Sequence, residues 1–176
     1  MKAAEIRKPT QKEKRVVEAI TGGKKSYGIY HKCCFHLHTP ASYDYTLLSE
    51  WNADQYKAMP AQVILEKCIE RHVVINTIIL DDVKVDGELG CYDNQKELLS
   101  YLLLADSLLS AGLEVVLIAD HNTIRGIDKL KAAIKWVQRI KRYNTFPLVM
   151  LGVEISCADR NHVVGMFDDT TENRKA

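Results

Sequence analysis

The sequence predicts a one-domain α/β fold, with mostly parallel strands and helices outside, on three observations. The runs Leu113–Ala119 and Phe146–Val153 are almost continuously apolar, as strands are when both faces of a sheet are covered. Between them, from Thr123 to Arg142, apolar side chains recur at three- and four-residue intervals, the period of an amphipathic helix. The chain has 176 residues, 47% hydrophobic and 27% charged, with no internal repeat, which suits one ordinary core. A strand, a helix and a second strand make a βαβ unit, whose right-handed crossover sets the strands side by side.

The elements follow in order. Residues 1–29 read as a polar N-terminal extension, a loose helix ending in a flexible hinge at Thr21-Gly22-Gly23-Lys24-Lys25. The domain proper spans 30–176. It opens with a β-prone run from Ile29 to His38, stopped at Thr39-Pro40 because proline lacks the backbone donor and holds the residue before it extended. A helical insertion covers about 45–112. Within it, residues 60–71 form a helix behind Pro60, with Val63, Ile64, Lys67 and Cys68 at helical spacing. Residues 72–92 are ambiguous: Val73 to Leu80 suits a strand, whereas Asp81, Asp82, Asp86, Gly87 and Gly90 suit a loop. A second helix starts at Asp93 or Asn94 as cap, presents Leu98, Leu99, Leu102, Leu103, Leu108 and Leu109, and stops at Gly112. Leu113–Ala119 is expected as an interior parallel strand, and His162–Phe167 as the last one.

Composition excludes several roles. With 24 basic against 23 acidic side chains, no global field steers the chain to nucleic acid or to an anionic membrane. The Lys129, Lys131, Lys135, Arg139, Lys141 and Arg142 face leaves a nucleic-acid contact as a lower-ranked reading, since such faces are usually just solvated. No apolar stretch approaches the roughly 20 residues of a membrane span, and the opening residues are expected to be too polar for a signal-peptide core. The expected location is cytoplasmic. Five cysteines with no CxxC pair read as reduced thiols, mostly buried as small hydrophobes.

In parallel α/β architectures, chemistry gathers at the carboxyl ends of the strands. Three such ends carry metal-ligand types. His36 and His38 are two apart and so share one strand face, with Asp44 close enough to fold back as an oxygen ligand. Asp120-His121 follows the interior strand; the imidazole ranks first as a ligand, with Asp120 as an orienting group or a helix cap. Glu154 ends the next strand, and His162 follows the turn Ala158–Asn161. If Ser156 pairs with His162, then Glu154 and His162 share a face; a shift by one residue separates them. Singly, each residue has a plain structural reading. Four of the six histidines nevertheless fall at the sheet mouth, each near a carboxylate; His31 and His72 do not.

His36-Leu37-His38-Thr39-Pro40-Ala41-Ser42-Tyr43-Asp44 resembles the first motif of the polymerase and histidinol phosphatase (PHP) superfamily. Ile118–Gly126 resembles the second motif, and Gly152–Ser156 with His162–Gly165 the third. The resemblance implies a partial distorted β/α barrel holding two or three divalent ions, commonly manganese, zinc or iron. It further implies a hydrolase, a phosphoesterase acting on a nucleotide, a nucleic-acid end or a small metabolite through a metal-activated water. Carried over, His36, His38, Asp44, His121, Glu154 and His162 are metal ligands, and Glu154 and Asp120 are the catalytic carboxylates. Thr39, Ser42 and Arg125 hold phosphate, although Thr39 and Ser42 serve equally as turn-stabilising hydroxyls.

Two departures matter. The long Tyr45–Gly112 link is similar to PHP modules that precede ATPase domains in larger bacterial or phage proteins, which implies an ATPase domain or subunit as partner. The family's later His and Asp-x-His have no counterpart after His162. The expectation is therefore the front part of a longer protein; the others are a site completed by homo-oligomerisation, or a catalytically incomplete scaffold or regulatory module.

Overall fold

The computed structural model describes residues 10–12, 14–15, 31–47 and 51–175, and the chain divides into two units, Met1–Tyr30 and His31–Ala176. In the first unit Gln11, Lys12, Lys14 and Arg15 are helical and exposed. The expected hinge at Thr21–Lys25 lies outside the described residues. Among the described residues no helix is long and apolar enough to cross a membrane.

The second unit is built on a four-stranded sheet in the order β1 (Cys33–Leu37), β2 (Val115–Ile118), β3 (Leu148–Ser156), β4 (His162–Phe167). β1–β2 and β2–β3 are parallel and β3–β4 is antiparallel. The interior position expected of Leu113–Ala119 therefore holds, and the architecture is α/β with a mostly parallel open sheet. Helices are α1 (Ala53–Ala58), α2 (Ala61–Glu70), α3 (Gln95–Ser110) and α4 (Gly126–Lys141).

Local chemistry sets each boundary. Asn94 caps α3 by accepting from the Glu97 N–H, and Gly112, at φ 64°, ends the run after it, a backbone state glycine adopts without steric cost. α1 was not anticipated; its signal is the reciprocal capping box of Asn52 and Gln55. α3 is buried on nearly every side, from Leu98 to Leu109, because α2 and α4 flank it. Leu99, Leu103, Ile64, Leu65, Leu130, Ile134, Ile118 and Leu151 meet in one core.

Val73–Leu80 is not a strand. Residues 72–92 run through turns and two short 3-10 turns, Leu80–Asp82 and Gly87–Leu89. Val73 and Val83 drop into the core while Ile75 and Ile79 stay outside, and the Gln95 amide donates to the Leu80 and Val83 carbonyls at 2.8 and 2.9 Å. A side chain thus satisfies carbonyls that a neighbouring strand would otherwise have to meet. The cysteines also differ from expectation. All five are free thiols, but only Cys68 is buried; Cys34 is intermediate and Cys33, Cys91 and Cys157 are exposed.

Asp106 is a charge inside the helical layer, 1% exposed. It accepts from Arg71 Nε at 2.9 Å, Lys141 Nζ at 2.6 Å and Tyr143 OH at 3.0 Å, joining the ends of α2 and α4 to α3.

Candidate metal centre at the strand ends

The sheet delivers its ligands through register. β2 and β3 keep one offset from Val116↔Val149 to the bridge His121↔Glu154, so the residue just past β2 lies beside Glu154. Gly152 makes this possible: a Cβ there would sit 2.4 Å from the Ile118 carbonyl oxygen. β3 and β4 pair Ser156 with His162 and Glu154 with Val164. This is the register the sequence required, and it puts Glu154 and His162 on one face.

Glu154 is the hub. It is 2% exposed, and its Oε2 lies 2.8 Å from His36 Nε2, 2.9 Å from His38 Nε2 and 3.5 Å from His121 Nε2. Its Oε1 meets His162 Nδ1. Asp44 completes a second cluster, with Oδ1 2.9 Å from His38 Nδ1 and Oδ2 3.1 Å from His121 Nε2. Burial opposes ionisation of Glu154, but hydrogen bonds from His162, His36 and His38 outweigh it and hold the carboxyl down at about 2. Asp44 is also lowered: burial opposes, and the Ser42 hydroxyl and the two imidazoles prevail.

All six sequence-assigned ligands are therefore together. They form three overlapping triads, His36/His38/Glu154, His38/Asp44/His121 and His121/Glu154/His162, whose potential ligand atoms lie within 4.8 Å of one another. The donor set fits a cation. Ligand atoms about 2.1 Å from a common ion are separated by about 3.0 Å in octahedral and about 3.4 Å in tetrahedral geometry, and the contacts of 2.8–3.5 Å around Glu154 and Asp44 are near these values. Imidazoles and carboxylates together suit manganese, iron or zinc.

The other sequence-assigned residues support the cluster or lie apart from it. Thr39 and Asp120 are both fully buried. The Thr39 N–H and hydroxyl donate to the two Asp120 oxygens at 2.5 and 2.6 Å, and Tyr101 OH lies 2.9 Å from the Thr39 hydroxyl. This inward network joins the ends of β1 and β2 and leaves neither residue open to a phosphate or a reacting atom; the catalytic place expected for Asp120 gives way to a positioning one. Burial raises the Asp120 carboxyl despite the Thr39 hydrogen bonds. Ser42, 5% exposed, donates to Asp44 Oδ1 at 2.6 Å and accepts from the His121 N–H at 3.3 Å, so its hydroxyl orients a ligand. Arg125 lines a separate cavity with Leu151, Val153 and Ile155, whose side chains alternate with Glu154 and leave the opposite face.

Two neighbours were missed. Ser156 Oγ lies 3.0 Å from His121 Nδ1 and fixes which nitrogen faces the carboxylates; its position two residues after Glu154 was the available signal. Tyr101 had no signal beyond the helical period. The basic face of α4 is largely neutralised within the chain: Lys129 pairs with Glu97 and Asp93, Lys131 with Asp169, Arg139 with Glu88, and Lys141 with Asp106.

Fold and site together define an α/β protein with a histidine–carboxylate centre able to hold metal. The chain is similar to an uncharacterized protein of Streptococcus pneumoniae serotype 4 (strain ATCC BAA-334 / TIGR4), 34% identical over 165 residues. The match covers 92% of this chain and 62% of that protein, so the chain spans less than two thirds of its relative's length. No family model and no solved structure matches the chain.

Proposed function

We propose that the chain is a metal-dependent phosphoesterase module of PHP type, its sheet forming part of a distorted β/α barrel. Its substrate is a phosphate ester of a nucleotide, a nucleic-acid end or a small metabolite. The observation that carries the reading is the convergence of four imidazoles and two carboxylates, from four separate chain segments, on the hub of Glu154. Divalent cations bound there would polarise a phosphoryl oxygen and bring the pKa of a bound water towards about 7.

The chain's own residues supply the rest. Glu154 and Asp44 give the mouth a negative charge that attracts cations and repels a free phosphate ester. Among the described residues no Lys or Arg forms an ion pair with any of the six. Phosphate binding therefore depends on prior loading of the site. Ser42 and Ser156 fix Asp44 and His121, and the Thr39–Asp120 network holds the two strand ends at a constant separation.

Metal content after loading with manganese, zinc or iron, measured beside hydrolysis of an aryl phosphate, tests the proposal. Stoichiometric metal and turnover, both lost in His36→Ala/His38→Ala, support it; no bound metal, or turnover indifferent to these changes, overturns it. A second reading, a catalytically incomplete scaffold or regulatory module of a larger ATPase-containing protein, is favoured by the exposure of the His36 and His162 side chains, 53% and 45%. Metal binding without turnover selects it.

A further inference from the structure

β4 pairs with β3 along one edge, and along its other edge it has no partner strand among the described residues. Its faces are open as well: Val163 is 54% exposed, Val164 39%, Met166 56% and Phe167 45%. Edge strands of natural sheets usually carry a lysine, a proline or a bulge that blocks pairing with another chain, and His162-Val163-Val164-Gly165-Met166-Phe167 carries none of these.

The charges flanking this edge have a direction. Arg160 and His162 lie at its start, and Asp168 and Asp169 follow its end. Asp169 is engaged by Lys131 and Arg174. The side chains of Arg160 and Asp168 have no hydrogen-bond or ion-pair partner among the described residues. Antiparallel pairing of two identical edges would set the basic start of each against the acidic end of the other; parallel pairing would set like against like.

We propose that β4 pairs antiparallel with β4 of a second copy of this chain, about a two-fold axis at Gly165. This register places Val163 opposite Phe167 of the partner subunit on one face and Val164 opposite Met166 of the partner subunit on the other. Pairs of a β-branched with an aromatic residue are among the favourable cross-strand contacts. It also places His162 opposite Asp168 of the partner subunit, with Arg160 within diagonal reach. His162 turns Nδ1 towards Glu154, so the contact with that carboxylate falls to Nε2. A carboxylate on the outer nitrogen of a ligand histidine fixes its ring, so the contact reaches the candidate site without depending on a metal in it.

The test is the mass of the full chain by light scattering and sedimentation over a range of concentrations, with and without chelator. A species of twice 20.0 kDa that persists in chelator is expected. Val163→Lys, on the face away from the histidines, is expected to give monomer. Asp168→Arg is expected to weaken association at least tenfold, and Arg160→Asp/Asp168→Arg to restore it, with circular dichroism unchanged throughout. Monomer at every concentration overturns the proposal, as does a dimer indifferent to Val163→Lys. A dimer lost in Val163→Lys but unmoved by the charge exchange overturns the antiparallel register. Because the readout is mass in chelator, its failure leaves the metal reading untouched, and failure of the metal reading leaves it untouched in turn.

Discussion

Gly126→Ala separates helix propensity from the buried network beneath it. Gly126 is the first residue of α4, and alanine there raises helix propensity by at most about 1 kcal/mol. A Cβ at this position would lie 2.0 Å from Thr39 Oγ1 and 2.3 Å from Asp120 Oδ2, well inside contact distance. Neither atom has room to retreat, since both are buried and each already bonds the other. At least one hydrogen bond to a charged group is lost, about 1.5–3 kcal/mol, and the α4 start is pushed off the β1 and β2 ends. The net expectation is destabilisation by about 1–2 kcal/mol, a fall in Tm of about 2–8 °C for a domain this size. Zinc affinity should fall at least tenfold, because His38 and His121 sit next to the displaced pair. Thermal unfolding followed by calorimetry, and zinc titration against a competing chelator, read the two effects. An unchanged or raised Tm with unchanged zinc affinity would refute the packing argument.

Other expectations follow from single contacts. Gly152→Ala would drive a Cβ against the Ile118 carbonyl; β2 and β3 must separate, and loss of soluble folded protein, or destabilisation by about 3 kcal/mol or more, is expected in denaturant titration. Asp106→Ala leaves Arg71 and Lys141 without their buried acceptor and should cost about 2–4 kcal/mol by urea unfolding, near the range for breaking a buried pair. The alkaline limb should change in the same variant. Burial works against the charge on Lys141, but its hydrogen bonds to Asp106 and Tyr143 raise its pKa above the ordinary value. That contribution is fully present below about pH 10.4 and is lost as pH rises through the higher folded value, so wild-type stability should fall above about pH 10.4 more steeply than that of Asp106→Ala. Manganese or zinc at a hundredfold excess over Kd should stabilise the chain by about 2.7 kcal/mol, and Glu154→Gln should abolish the gain in thermal shift.

Much of this architecture could be read from periodicity because the elements near the site obey one period each. The apolar runs around β2 and β3 announced strands, with β2 buried as expected but Leu148 and Ile155 of β3 left exposed, and the two-residue spacing of His36 and His38 placed both imidazoles on one side. The hairpin register was stated as a condition, and the Ser156↔His162 pair meets it. Periodicity failed where one side chain does work that its helix does not announce. Tyr101 and Asp106 occupy ordinary places in the pattern of α3, yet one closes the network under the strand ends and the other anchors two helix termini. Thr39 stayed open between two roles for a related reason: a hydroxyl at a strand end suits either a ligand or a turn, and only the position of Asp120, far along the chain, shows what it bonds. The same limit applies to Val73–Leu80, whose β-branched composition suits a strand but whose Leu80 carbonyl is met by the distant Gln95 amide.

The geometry of Glu154 links these points. Its main chain is held on both sides: its N–H donates to the Asp120 carbonyl at 3.1 Å, and its carbonyl accepts from the Asn122 N–H at 2.9 Å. Asp120 in turn holds Thr39, and Thr39 follows His38, so the separation of the His38, His121 and Glu154 side chains is set by the sheet and by the network beneath it. Packing fixes the inner part of the cluster before any cation arrives, whereas His36 and His162 stand at the open rim. Loss of an inner residue should therefore reduce both fold stability and metal affinity, while loss of a rim histidine should reduce affinity alone. His162→Ala and His36→Ala with near wild-type Tm but weakened zinc binding, beside His121→Ala with both reduced, is the pattern this division requires; equal thermal losses at all three positions would contradict it.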